Sequence, residues 1–160
     1  MVQRLKQISA ATAPSAPLAT PLIEELELIA QGYPDLDIRC ACPVGLSLIL
    51  DRNALATVLG ELLDNARAHG RAANGETSLL LSATESATEI RISVSDSGAG
   101  FVTEQVEHFF DPFFTSKLNQ GHIGIGAYIA KSVARDALGA SLALQTATSG
   151  TTVSLHLPKP

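Results

Sequence analysis

Four short segments of the chain place polar side chains or glycines where a hydrophobic core has no use for them. The first is Glu61-Leu62-Leu63-Asp64-Asn65-Ala66. On a helix Glu61 and Asn65, four residues apart, share one face, while Leu62, Leu63 and Ala66 turn to the core. A carboxylate and an amide oxygen one turn apart can ligate a hydrated Mg²⁺ or orient a nucleophile, although such a pair standing alone more often marks a solvated stripe. The second segment is Asp96-Ser97-Gly98-Ala99-Gly100. Glycines without a Cβ let backbone approach a flat ring closely, and an ionised Asp, being acceptor-only, suits an exocyclic amine; an ordinary turn uses the same residues. The third, Phe109-Phe110-Asp111-Pro112-Phe113-Phe114, holds four of the five phenylalanines. Pro and Asp inside it argue for a hinge or anchor rather than a core strand. In the fourth, Gly121-His122-Ile123-Gly124-Ile125-Gly126 opens a helix, whose free N–H groups and dipole favour phosphate. It is neither a P-loop nor a Rossmann turn: no Lys-Ser/Thr follows, no strand precedes, and the spacing is G-x-x-G-x-G.

These segments need elements to hold them. Thr20 offers an N-cap with Pro21 in the first helical position and Glu24 and Glu25 in the first turn; Leu22, Ile23, Leu26 and Ile29 form an apolar face, and Gly32 ends the helix. Residues 37–42 and 46–50 read as strands around the Pro43-Val44-Gly45 turn. A helix over 51–69 follows from Leu55, Val58, Leu59, Leu62, Leu63 and Ala66 at helical spacing. Alternation at Leu79, Leu81, Ala83 and at Ile90, Ile92, Val94 predicts a β-hairpin that ends at Asp96. A short helix starts at Thr103, a longer one spans 124–138 before Gly139, and residues 141–146 and 151–157 form a second hairpin. The expected fold is α+β: a two-layer sandwich with a mixed, mostly antiparallel sheet and helices on one face. Ahead of it, Val2, Leu5 and Ile8 at helical spacing and then a Pro/Ala-rich stretch mark residues 1–19 as a linker or the end of a preceding helix, leaving 20–158 as the domain.

Composition narrows the partners. The 160 residues are 46% hydrophobic and 17% charged, enough for one sizeable core. Lys and Arg number 11 against 16 Asp and Glu, a net charge of -5, which disfavours a protein that tracks nucleic-acid phosphates. No apolar run approaches the ~20 residues of a membrane span, so the expectation is a cytoplasmic domain without direct membrane contact. Cys40 and Cys42 stand alone as C-x-C, one pair short of a zinc site, and read as reduced strand residues.

Taken in order, the four segments resemble the ATP-binding catalytic domain of bacterial two-component sensor histidine kinases, in the superfamily that also holds DNA gyrase, the heat-shock chaperone ATPases and the mismatch-repair ATPases. Over residues 20–158, the segment from Glu61 to Ala66 resembles the N box, Asp96 to Gly100 the G1 box, Phe110 to Phe114 the F box and Gly124-Ile125-Gly126 the G2 box, with Gly150-Thr151-Thr152 a final G3-like turn. The resemblance implies a Bergerat-type fold that binds ATP and Mg²⁺. It implies Asn65 as the Mg²⁺ ligand, Asp96 as acceptor for the adenine amine, Gly98 and Gly100 beside the ring, and Thr151 assisting. Glu61 takes the catalytic position that polarises the attacking group. Thr115 to Gly121 stands as the ATP lid, with Lys117 available to a phosphate; Gly124 and Gly126 belong to the phosphate side.

The chain departs from the family pattern in three places. His122 replaces the usual first G2 glycine, which moves to Gly121. Ala68 replaces a frequently basic residue, which leaves Arg67, His69 or Arg71 as substitutes facing the phosphates, His69 being the better candidate. None of His69, His108, His122 or His156 sits in a phosphoacceptor context. The implied reaction is therefore transfer of the γ-phosphoryl group to a His on a separate dimerisation domain, and from there indirectly to a response regulator, within a parent protein that can be membrane-anchored. Two alternatives share the fold: a stand-alone serine kinase that inhibits a sigma factor, and a pseudokinase interaction module, which the displaced glycine favours.

Overall fold

The computed structural model describes residues 18–72, 74–114 and 124–160. Lys117, Gly121, His122 and the spacing of Val2, Leu5 and Ile8 lie outside them.

The alternating runs build the centre. Strands β4 (Ser78–Glu85) and β5 (Glu89–Asp96) form an antiparallel hairpin, closed where Ser86 N donates to Glu89 O at 2.9 Å. β7 (Gly150–Pro158) pairs with β5, β6 (Ser141–Ala147) pairs with β7, and β2 (Asp37–Ala41) runs parallel to β4, giving the order β2-β4-β5-β7-β6. Period-two alternation sends Leu79, Leu81, Ala83, Ile90, Ile92, Val94, Val153, Leu155 and Leu157 to one face, where each is at most 7% exposed. The other face carries small polar residues, with Ser93–Ser154 and Ser95–Thr152 hydroxyl pairs at 2.8 Å.

Helices cover the apolar face. α1 (Leu22–Gln31), α2 (Arg52–His69) and α4 (Gly126–Leu138) each bury side chains in the core, while α3 (Thr103–His108) is a short helix with no buried residue. α2 contributes most: Leu55, Val58, Leu59, Leu62 and Leu63 are at most 2% exposed, each burial being worth about 1.5–3 kcal/mol. Its ends follow from sequence. Asp51 is the N-cap and its Oδ1 accepts from Ala54 N at 3.0 Å, Arg67 and His69 occupy the last turn, and Gly70 closes it. α4 stops at Gly139, whose φ of 59° is left-handed. Asp51→Ala is expected to cost about 1 kcal/mol through the lost cap, read as a lower urea midpoint at unchanged slope; an unmoved midpoint would remove Asp51 from the cap.

Several boundaries differ from expectation. Thr20 does not cap α1: it lies in β1 (Leu18–Pro21), where it pairs with Leu48, and Pro21 holds the cap position with no side-chain cap bond. The strand also begins before the domain start expected at residue 20. The strands either side of the Pro43-Val44-Gly45 turn do not pair with each other. β2 joins the large sheet, whereas β3 (Ser47–Leu50) pairs with β1 in a separate two-stranded ribbon. Gly45, at φ 79°, turns the chain from one sheet to the other. α4 starts at Gly126 rather than at Gly124. Glu25, one of the two first-turn acids, is buried and paired with Arg52 at 2.6 Å, tying α1 to the start of α2.

Candidate functional site

Asp96 ends β5, flanked by Leu79 of β4 and Thr151 of β7, so its carboxylate emerges where the sheet gives way to loop. Its Oδ1 accepts from Gly98 N at 2.9 Å and Thr151 N at 3.2 Å. Both bonds fall on one oxygen, and no bond from the described residues reaches Oδ2. Burial pushes the carboxyl above its ordinary range, and the two amides pull it back only in part.

The carboxylate faces a narrow cleft. α2 supplies one wall with Leu62, Asn65, Ala66 and His69; Val94, Thr151 and Val153 supply the other, and Phe101 and Phe109 close the end. The space inside is about 20 Å³, room for about one water. His69 lies 5.6 Å from Phe101 between ring centroids, Phe101 5.4 Å from Phe109, and Phe109 4.9 Å from Phe110, so an unbroken row of rings runs from the cleft to the next segment. An apolar slot ending in a carboxylate with one oxygen fixed suits a flat heterocycle that presents an N–H.

The glycines act by what they omit. At Gly100 φ is 76°, and a Cβ there would run into the Ala147 carbonyl; the next residue, Phe101, donates its N–H to Thr146 Oγ1 at 2.7 Å. The turn after Asp96 thus leans directly on the β6–β7 turn.

Of the residues expected from sequence, Asn65, His69, Asp96 and Thr151 come together around this cleft, with Gly98 and Gly100 forming the turn beside it. Glu61 does not line it: it is buried at 4% exposure one helical turn before Asn65. Gly124 and Gly126 sit apart, at the start of α4, where Gly124 O accepts from Phe113 N at 2.8 Å. The phenylalanine-rich segment divides as an anchor should. Phe109 is buried, while Phe113 is 71% exposed with φ at 65°, a conformation rare for a bulky side chain. Sequence reasoning passed over Gly70, Phe101, Phe109 and Thr146 as site residues; the signal for the first two was adjacency, Gly70 following His69 and Phe101 following Gly100.

Residues 50–160 match the family of histidine kinase-, DNA gyrase B- and HSP90-like ATPases. The chain belongs to this family. Among curated relatives, the C4-dicarboxylate transport sensor protein DctB of Rhizobium meliloti (strain 1021) is 34% identical over 118 residues, 73% of this chain and 18% of that protein. The sensor protein FixL of Bradyrhizobium diazoefficiens is 31% identical over 142 residues, 86% of this chain and 28% of FixL. The chain thus spans less than a third of the length of either relative. In fold it is similar to the catalytic domain of histidine kinase ThkA, with a TM-score of 0.78 at 22% identity over 91% of this chain and 97% of that one. Full-length ShkA, solved with AMPPNP, gives 0.79 at 19% identity over 98% of this chain and 34% of that one. The molecule is a histidine kinase-like ATPase domain, and its α+β sheet with helices on one face is the architecture of these neighbours. Among the described residues, no helix of this ATPase domain is long and apolar enough to cross a membrane.

Proposed function

We propose that this ATPase domain is the catalytic, ATP-binding part of a sensor histidine kinase. It transfers the γ-phosphoryl group of ATP to a His on a separate dimerisation domain, from which a response regulator is served indirectly. The observation that supports the reading is Asp96, a half-buried carboxylate at the end of an apolar slot with one oxygen held by two amides. The other oxygen is the acceptor for the adenine amine, and the slot takes the ring between α2 and β7.

Mg²⁺ fits the donor set. An amide oxygen is a hard donor of the kind Mg²⁺ takes, and substrate phosphates and water would supply the remaining ligands. The amide of Asn65, beside the cleft, is the residue that would hold it. Bound Mg²⁺ would supply charge neutralisation at the phosphate oxygens. Glu61, one turn before Asn65, is proposed to polarise the attacking group, and His69 to lie against the nucleotide. Gly124 and Gly126 border the phosphates, and the γ-phosphoryl moves from the leaving ADP oxygen to an imidazole nitrogen. A net charge of -5 does not oppose this, because backbone amides, a helix start and the metal do the neutralising. The domain works in the cytoplasm, as one part of a longer kinase.

The test is calorimetric binding of a non-hydrolysable ATP analogue with and without Mg²⁺, followed by phosphotransfer in trans to a dimerisation domain. Acid-labile, base-stable label on that domain is expected. Absence of binding would favour a pseudokinase, and acid-stable phosphoserine would favour a kinase acting on a sigma-factor partner.

Acid should weaken adenine binding early. A carboxyl held above its ordinary range is ionised at neutral pH but takes its proton at a higher pH than the usual ~3.9, and only the ionised form is a pure acceptor. The sign for folding is opposite: Asp96's contribution to stability is fully present below the unfolded-state value and lost as pH rises through the folded one. Adenosine affinity, read by NMR so that phosphate protonation does not enter, is expected to fall from pH 7 toward pH 4.5 in the natural protein and to stay flat in Asp96→Asn.

A further inference from the structure

Gly70 is not glycine for the sake of its dihedral angles. Its φ is -86° and ψ 12°, open to any residue, and its N–H caps α2 by donating to Ala66 O at 2.6 Å. What excludes a side chain is space on two sides. A Cβ on Gly70 would stand 2.5 Å from Ala66 O, the carbonyl that its own N–H caps, and also 2.8 Å from Asp96 Cβ and 3.0 Å from Asp96 Cγ, whereas carbon atoms in contact settle at about 3.5–4.0 Å. Across the same contact lies Gly98, where a Cβ would stand 2.7 Å from His69 O and 3.0 Å from Gly70 Cα. Two glycines, one from the end of α2 and one from the turn after Asp96, thus bring backbone against backbone with the Asp96 side chain wedged beside them.

We infer that Gly70 is a positioning residue for the base-reading carboxylate. It sets the spacing between the end of α2, which carries Asn65 and His69, and Asp96, so that helix and carboxylate meet the nucleotide as one unit. Asp96 is held on three sides: by the amides of Gly98 and Thr151 on Oδ1, and by the bare Cα of Gly70 behind Cβ and Cγ. A methyl group at Gly70 can move away from Ala66 O only by loosening the end of α2, and on the Asp96 side it has two ways out, both of which cost recognition. Either the carboxylate swings off its two amides, or the Gly98 turn retreats and takes one of those amides with it. This inference rests on Asp96 as acceptor of the adenine amine.

The test compares ATP with inosine triphosphate, in which a carbonyl replaces that amine and meets the carboxylate as acceptor against acceptor. Binding of both is measured by calorimetry with Mg²⁺ for the natural protein, Gly70→Ala and Asp51→Ala, the last weakening the far end of the same helix without touching the cleft. The natural protein and Asp51→Ala should favour ATP by roughly tenfold or more, the worth of one charge-assisted hydrogen bond. Gly70→Ala should lose most of that ratio, which a merely structural glycine would leave intact. A natural protein with no preference would overturn the adenine reading itself; a preference kept in folded Gly70→Ala would overturn only the role of Gly70. Should Gly70→Ala not fold by circular dichroism, Gly98→Ala probes the same contact from the other side, and an undiminished ratio there overturns the inference equally.

Discussion

Asp96→Asn is expected to lower affinity for ATP analogues roughly tenfold to a hundredfold while the domain stays folded. The magnitude follows from losing one hydrogen bond to a charged acceptor, about 1.5–3 kcal/mol. The direction follows from geometry. The amides of Gly98 and Thr151 both point at Oδ1, so the Asn side chain places its carbonyl oxygen there and its NH₂ where Oδ2 was. That NH₂ then meets the adenine amine donor to donor. Stability should not suffer, because a neutral amide is spared the burial that raises the Asp96 carboxyl. Calorimetry and a thermal melt on one preparation decide the matter: unchanged affinity would mean that adenine is read elsewhere, and an unfolded variant would mean that Asp96 holds the β5–β7 junction together.

Asn65→Ala should leave the base site and remove the metal's contribution. Leu62 and Ala66, its neighbours on the cleft wall, are buried and untouched by the change, so adenosine binding is expected to persist. The gain in nucleotide affinity on adding Mg²⁺ should vanish, and phosphotransfer in trans should fall by roughly 10²–10³, the usual loss when one oriented group that stabilises developing charge is removed. A Mg²⁺ titration of the transfer rate is the measurement. The same Mg²⁺ dependence in the variant as in the natural protein would remove Asn65 from the metal.

Local patterns carried the fold wherever a residue's own neighbours settled its conformation. The alternation of Leu79, Leu81 and Ala83 against Ile90, Ile92 and Val94, and the helix over 51–69 written in the spacing of Leu55, Val58, Leu59, Leu62 and Leu63, needed no knowledge of the rest of the chain. Pairing between distant segments was not legible. Residues 37–42 and 46–50 are separated by a turn, as a hairpin would be, yet the pairing is decided by partners elsewhere, β4 for one and β1 for the other. Thr20 failed as a cap for the same reason, since Leu48 claims its backbone for the ribbon.

The site divides along similar lines. Asn65 and Asp96 stand out because polar residues interrupt apolar patterns, and the structure sets both on one cleft. Helical spacing put Glu61 on the face of Asn65 but did not give its depth: it is buried one turn before the cleft lining. Gly70 and Phe101 look unremarkable as letters. Their parts depend on what lies within a few ångströms, Asp96 for one and His69 and Phe109 for the other, which no spacing rule encodes.

The small volume of the cleft bears on rates and populations. Phe101 closes its end, touching His69 on one side and Phe109 on the other. Where entry of a base waits on Phe101 moving, the affinity measured at equilibrium is the intrinsic one multiplied by the fraction of molecules standing open, and the observed association rate levels off at the opening rate as nucleotide concentration rises. Stopped-flow binding separates the cases: a plateau marks gating by this ring, and a linear rise marks a cleft that admits the base as it stands.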